Sequence, residues 1–342
     1  MKVINEEIQR FLGMEKHHSE VQVTRTYLEY LTKLPYGIST EENFDINIAK
    51  HTLDQSHYGM EDVKRRILEF IAVGKLKHSV QGKILCFVGP PGVGKTSIGE
   101  SIAQSLGRKY HRIALGGDRD TSTLKGFRRT YVGAVPGKIV RALKTTEVEN
   151  PVLLIDEVDK IGQRSAHGDP GSALLEILDP EQNSAFTDDF LDVPIDLSKV
   201  LFLCTANSLD TLHPALLDRM EIINVAGYTH NEKRHILNNY LLPQAVKNAG
   251  LMNSNVQFSM TEEVKNFIIS SYCREPGVRS LKKFVNKICE KVAFEMVENQ
   301  ASGEQKDIVV DVTNIEKYIG HPLYRSSRFY NLLPPPVIII TL

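Results

Sequence analysis

The residues with the clearest chemistry are Gly89-Pro90-Pro91-Gly92-Val93-Gly94-Lys95-Thr96, a G-x-x-x-x-G-K-T run directly after the apolar stretch Ile84–Val88. Backbone N–H groups curl round a phosphate only where no Cβ blocks the approach, which accounts for glycine at 89, 92 and 94. In that arrangement Lys95 sets its ammonium on the β- and γ-phosphates and Thr96 binds Mg²⁺. A helix over Ser97–Leu106 then points its N-terminus at the anion. A glycine turn ahead of an ordinary helix is the plainer reading, but the strand before and the helix after favour a phosphate loop.

Val152-Leu153-Leu154-Ile155-Asp156-Glu157 brings two adjacent carboxylates to the end of a buried strand. Successive strand residues face opposite ways, so Asp156 is expected to order the Mg²⁺ shell while Glu157 polarises an attacking water. Asn207, after the apolar run Val200–Ala206, offers a neutral amide to the same water. Arg219, in Leu216-Leu217-Asp218-Arg219-Met220, offers a guanidinium to charge that grows during phosphoryl transfer. From spacing alone it could equally be a solvated loop residue. Arg279, at the start of a helix in Glu275-Pro276-Gly277-Val278-Arg279, could reach a nucleotide or merely pair with an acid.

Gly126-Phe127-Arg128-Arg129-Thr130-Tyr131-Val132-Gly133-Ala134-Val135-Pro136-Gly137 is a poor core segment, because Gly and Pro interrupt either regular structure. It reads as an exposed, mobile loop presenting Tyr131 and Val132, suited to gripping an extended polypeptide by apolar contact and stacking.

These residues need a scaffold, and the chain supplies a recognisable one. Apolar runs at Ile84–Val88, Tyr110–Leu115, Val152–Ile155, Val200–Cys204 and Ile222–Val225 alternate with helical segments such as Gly137–Thr146 and Ser172–Leu178. That alternation predicts an α/β fold: a mostly parallel sheet with helices on both faces and ligands at the carboxyl ends of the strands. After Gly227 strands nearly vanish. Thr229-x-x-Glu232 is a capping box, Thr261-Glu262-Glu263 opens a second helix and residues 278–297 form a third. A short strand at Ile308–Val310 and a helix at Asn314–Ile319 close this small helical domain. Residues 1–34 read as helix, with too few apolar positions to stand alone and a packing partner elsewhere. The expected divisions are thus 1–34 as the C-terminal helical part of an N-terminal domain, a linker at 35–50, a nucleotide-binding domain at 51–226, a small helical domain at 227–322, and, at 323–342, a linker with the truncated start of a further domain, the unpartnered apolar strand Val337–Leu342.

The 342 residues imply two or three domains, and a formal charge of −1 (41 basic against 42 acidic) gives no global pull toward nucleic acid. No apolar run reaches the ~20 residues that span a bilayer, and the charged first thirty residues resemble neither a secretory signal nor a transit peptide. Cys86, Cys204, Cys273 and Cys289 show no C-x-x-C spacing and read as buried free thiols. No H-E-x-x-H occurs, and His230 and His235 read as helix-surface residues.

Taken together, these motifs resemble the ATPase part of the Lon family of AAA+ ATP-dependent proteases. The resemblance covers about residues 1–330. It is carried by the glycine loop, Arg128–Gly133 with Pro136-Gly137-Lys138, and Asp156-Glu157-Val158-Asp159-Lys160. Further matches are Gly168-Asp169-Pro170 with Leu178-Asp179-Pro180-Glu181-Gln182-Asn183, Leu217–Glu221, and Glu275-x-Gly277-Val278-Arg279. Phe127, where the family usually has His, and Leu115–Asp120 depart from its pattern. The resemblance implies a homohexameric ring that binds ATP and Mg²⁺ and hydrolyses ATP between subunits. Arg219 would act on the neighbour's nucleotide, Arg279 would sense phosphates from the lid, and His57-Tyr58-Gly59 would border the adenine. Tyr131 and Val132 would be the pore loop that pulls unfolded or damaged polypeptides. It further implies a downstream protease domain with a Ser–Lys dyad, whose motifs appear nowhere in these residues. Pro194–Val200 and Cys204–Asn207 are more similar to mitochondrial members, which implies the matrix, with peroxisome or bacterial cytoplasm as alternatives. Two other readings stay open. The basic clusters Lys64-Arg65-Arg66 and Arg128-Arg129 would suit a nucleic-acid-dependent AAA+ switch or loader, though DNA binding has no further support. An isolated fragment would bind ATP yet hardly hydrolyse it.

Overall fold

Runs such as Ile84-Leu85-Cys86-Phe87-Val88 show no polar alternation, so both faces must be covered, which is the condition for a parallel sheet under helices. The computed structural model, which describes residues 2–14, 20–77, 84–117, 120–131, 133–161, 169–253, 258–301, 307–322 and 324, has that sheet. Its strands are β1 (Ile84–Val88), β2 (Tyr110–Ala114), β3 (Val152–Asp156), β6 (Leu201–Ala206) and β7 (Met220–Asn224), in the order β2-β3-β6-β1-β7. All pairs are parallel, with Cys86 opposite Cys204 and Ile222. A small antiparallel pair, β4 (Phe186–Thr187) with β5 (Pro194–Ile195), escapes sequence reading because two residues carry no period.

The first helices are α1 (Lys2–Leu12), α2 (Glu20–Lys33), α3 (Ile46–Ser56), α4 (Glu61–Lys77) and α5 (Lys95–Leu106). Two expectations need correction here. The helix expected to pack elsewhere instead buries Tyr27 and Leu31 of α2, with Leu34, in the same core as Leu153, Ile155, Leu174 and Phe202. The expected linker is already helical from Ile46, because the Asp45 carboxylate caps the N–H groups of Asn47 and Ile48. Gly37 and Ser39, ahead of it, bond the Glu149 carboxylate.

Contacts divide the chain into two units, one of Met1–Pro90 with Gly94–Ala226, the other of Pro91–Val93 with the residues from Gly227 onward. The second has its own core, including Val264, Ile268, Leu281, Val285, Ile288 and Val292. The Thr229–Glu232 capping box is present, with Glu232 Oε2 accepting from Thr229 N at 2.7 Å. The expected strand Ile308–Val310 is present as β9 and pairs in parallel with β8 (Phe258–Met260), which was not expected, each three residues long. All four cysteines are buried and free. Among the described residues no helix is long and apolar enough to cross a membrane. Val132, Gly168 and the expected strand Val337–Leu342 lie outside the described residues.

Candidate active site

The first unit gathers its polar side chains where β1, β3 and β6 end. At Gly89 the backbone presses on the end of β7: an added Cβ would lie 2.1 Å from the Val225 carbonyl oxygen, so only glycine fits. Gly94, in a left-handed conformation (φ 99°), starts α5. Lys95 then turns its ammonium inward, donating to the Gly89 carbonyl, to Pro90 O at 3.0 Å and to Asn207 Oδ1 at 2.9 Å. Burial lowers its pKa, opposed by the neighbouring carboxylates of Asp159, Asp156 and Glu157.

Thr96 Oγ1 lies 3.3 Å from Asp156 Oδ1. A hydroxyl and a carboxylate are hard oxygen donors of the kind Mg²⁺ takes, with the rest of its octahedron left to water and phosphate. Among the described residues no group of three or more His, Cys, Asp or Glu could hold a metal. Thr96 and Asp156 are thus the two residues at this end of the sheet whose oxygens could hold Mg²⁺. Asp156 is itself 4% exposed. Its Oδ1 accepts from Thr205 Oγ1, and its Oδ2 accepts from Arg112 Nε at 2.8 Å.

Glu157 corrects the strand-alternation argument. It does not continue β3 but takes a left-handed conformation (φ 59°), held by its N–H donating to Thr205 Oγ1 at 3.0 Å. The two carboxylates are therefore separated by a turn of the chain and not by the pleat. The Glu157 carboxylate meets Lys160 Nζ at 2.6 Å. Thr205 and Arg112, which bond to the Asp156 carboxylate, are the candidate-site residues missed in the sequence. A hydroxyl inside the buried run Cys204-Thr205-Ala206 and a charge within β2 were the available signals.

His57 sits between α3 and α4, 6% exposed, with Nε2 2.9 Å from Ser97 Oγ of α5 and Nδ1 2.9 Å from Ser56 Oγ. Burial, helped by Lys64, pushes its pKa down to about 4, so the ring is neutral. Tyr58 and Gly59 follow in the same turn, Gly59 with φ 67°. Arg219 stands apart. Among the described residues its polar partners are Asp179 Oδ2 at 3.0 Å and the Ala215 carbonyl at 3.0 Å, so one chain does not bring it to Lys95 or Asp156.

In the second unit, Arg279 is the first residue of the helix Arg279–Ala301. It follows Val278, whose N–H donates to Gly92 O at 3.0 Å, and a Cβ on Gly92 (φ 79°) would meet the Arg279 Cβ at 2.9 Å. Pro91, Gly92 and Val93 thus share a unit with Arg279, and Tyr228 OH donates to Val93 O at 2.8 Å.

Tyr131 is 63% exposed and lines a groove of about 790 Å³ with Thr24, Arg129, Thr130, Gly133 and Phe190. The basic cluster Lys64-Arg65-Arg66 is locally compensated. Lys64 pairs with Asp54 at 2.7 Å, Arg65 with Asp62 at 2.6 Å, and Arg66 with Glu69 and Glu221, each at 2.7 Å. Arg129 lies over the Tyr27 ring, 3.9 Å from its centroid.

Residues 85–228 match the family described as ATPase family associated with various cellular activities (AAA), and residues 247–306 match the Lon protease AAA+ ATPase lid domain. The chain is 53% identical over 339 residues to "Lon protease homolog, mitochondrial" of Rattus norvegicus, covering 99% of this chain and 35% of that protein. Identity is 52% over 339 residues to the Homo sapiens protein of that name, covering 99% and 35%. With the protein of that name from Ostreococcus lucimarinus it is 53% over 338 residues, covering 98% and 36%. The chain spans about a third of the length of these relatives.

Proposed function

We propose, from the premise that this chain joins an AAA domain to the Lon lid and so belongs to the Lon family, that it hydrolyses ATP to unfold and move polypeptides. In this reading 51–226 is the nucleotide-binding domain, 227–322 the lid, and the chain is the motor of an ATP-dependent protease of the mitochondrial matrix, a placement supported by the word mitochondrial in the relatives' names. The active form in this reading is a ring of six copies in which Arg219, bonded within its own chain to Asp179 and Ala215, serves the neighbour's phosphate loop.

The observation that carries the reading is the convergence of Lys95, Thr96, Asp156 and Asn207 at the ends of adjacent parallel strands. Lys95 and the loop N–H groups bind the phosphates, and Thr96 with Asp156 hold Mg²⁺, which supplies charge neutralisation on the phosphoryl oxygens when bound. Glu157 accepts a proton from the attacking water, and Asn207 orients that water. Arg279 reads the phosphates from the lid, and Tyr131 with Val132 grips the substrate. Glu157→Gln tests the assignment: ATP affinity should persist while turnover falls on the order of a hundredfold or more. Undiminished turnover would remove Glu157 from the chemistry.

A further inference from the structure

The run Leu178-Asp179-Pro180-Glu181-Gln182-Asn183 supplies none of the residues of the nucleotide site above, yet its Asp179 forms an ion pair with Arg219. Asp179 ends the helix Pro170–Leu178, its N–H donating to Leu175 O at 2.8 Å. Its carbonyl accepts from Gln182 N at 3.0 Å and Asn183 N at 2.8 Å. The side chain closes on the same turn, with Oδ1 accepting from Glu181 N at 3.1 Å and Oδ2 from Gln182 Nε2 at 2.9 Å. These bonds fix the carboxylate before any tertiary partner arrives, and the Glu181 N–H is the first cause holding its pKa below the ordinary value.

Onto this fixed anion comes Arg219 Nη2 at 3.0 Å, while Nη1 donates to Ala215 O at 3.0 Å. The Asp179 side chain is 5% exposed and that of Arg219 38%. The acid is thus the rigid member and the arginine the one being held. A guanidinium has five N–H donors in a planar fork, so anchoring on these two partners leaves donors free for an anion. An exposed arginine without such an anchor samples many rotamers, and freezing it at each turnover would raise the barrier.

We infer that Asp179 is a positioning residue, whose carboxylate, held by the Glu181 N–H and the Gln182 amide, presents the Arg219 guanidinium to the nucleotide of a neighbouring copy. The inference rests on the reading of Arg219 as acting in trans, and a mixing experiment separates the two.

Asp179→Asn keeps the shape and an acceptor for Glu181 N–H, but turns an amide donor toward Arg219. In the assembled chain kcat should fall on the order of ten- to a hundredfold, with KM for ATP and affinity for a fluorescent ATP analogue kept within about twofold. Mixing Asp179→Asn with Lys95→Ala, which lacks a working phosphate loop but carries an intact Arg219, should restore turnover, because each supplies what the other lacks. Arg219→Ala mixed with Lys95→Ala is run beside it. If Arg219→Ala retains turnover, or is not complemented, the in-trans reading fails. If Arg219→Ala behaves as expected while Asp179→Asn keeps normal turnover, or loses it without complementation, the positioning role alone fails. Should Asp179→Asn not fold, the double variant Asp179→Asn/Gln182→Glu, which moves the anion to the neighbouring side chain, decides. Turnover within about threefold of the unaltered chain supports the inference, and a folded double variant without turnover overturns it.

Discussion

Asp156, Glu157 and Thr205 show how a few hydrogen bonds divide the work of a site. Thr205 Oγ1 donates to Asp156 Oδ1 and accepts the Glu157 N–H, so one hydroxyl fixes a carboxylate and stabilises the left-handed turn after it. That turn costs about 1–3 kcal/mol in a non-glycine residue. Its use is to turn the chain out of β3 directly after Asp156. His57 allows a pH test at the same scale. Protonation favours the unfolded chain, where imidazole titrates near ~6.5, over the fold, where it titrates at about 4. Its contribution to stability is therefore intact above pH ~6.5 and is lost as pH falls to about 4, by at most about 3 kcal/mol. Asp188, pushed up to about 6 by burial, works in the opposite sense, so the comparison must be between His57→Gln and the unaltered chain. Urea unfolding across this range should show the unaltered chain losing stability relative to the variant on acidification. Parallel curves would mean that His57 is not held neutral.

At the scale of elements, the described residues of the segment 126–137 are irregular, and the two ends of this expected mobile loop are tied down. Phe127 N–H donates to Val135 O at 3.2 Å across its neck, and Gly137 N–H donates to Asp188 Oδ2 at 2.8 Å. Asp188 also accepts the N–H groups of Phe190 and Leu191, and the Leu191 carbonyl accepts from Tyr27 OH of α2 at 2.9 Å. Arg129 lies on the Tyr27 ring, so both limbs of the loop are tied to the same corner and Tyr131 is left outside. Loss of one aromatic contact is worth about 1 kcal/mol, so Tyr131→Ala should weaken stimulation of ATP turnover by an unfolded protein roughly fivefold. Stimulation at the normal protein concentration would remove Tyr131 from substrate gripping. The exposed loop was legible because glycine and proline exclude regular structure. Its anchors were not, since Tyr27 and Leu191 are 164 residues apart in the chain.

For the whole molecule, a site shared between copies has a consequence that no single chain reveals. Turnover per chain should rise with protein concentration, in step with molar mass from light scattering in the presence of ATP, and Arg219→Ala should abolish the rise. Constant turnover on dilution to monomers would exclude a shared site. By itself the sequence determined the five-strand sheet, the glycine loop, the two acids after β3 and the capping box of the second unit, because each is written in neighbouring residues through apolar runs, turn chemistry or caps. Only the tertiary structure decided that α2 enters the first core, that Thr205 and Arg112 hold Asp156, that Glu157 leaves the strand by a left-handed turn, and that Asp179 takes Arg219. Those are pairings between distant segments, and no local pattern specifies which polar side chain meets which when the strands and helices close together.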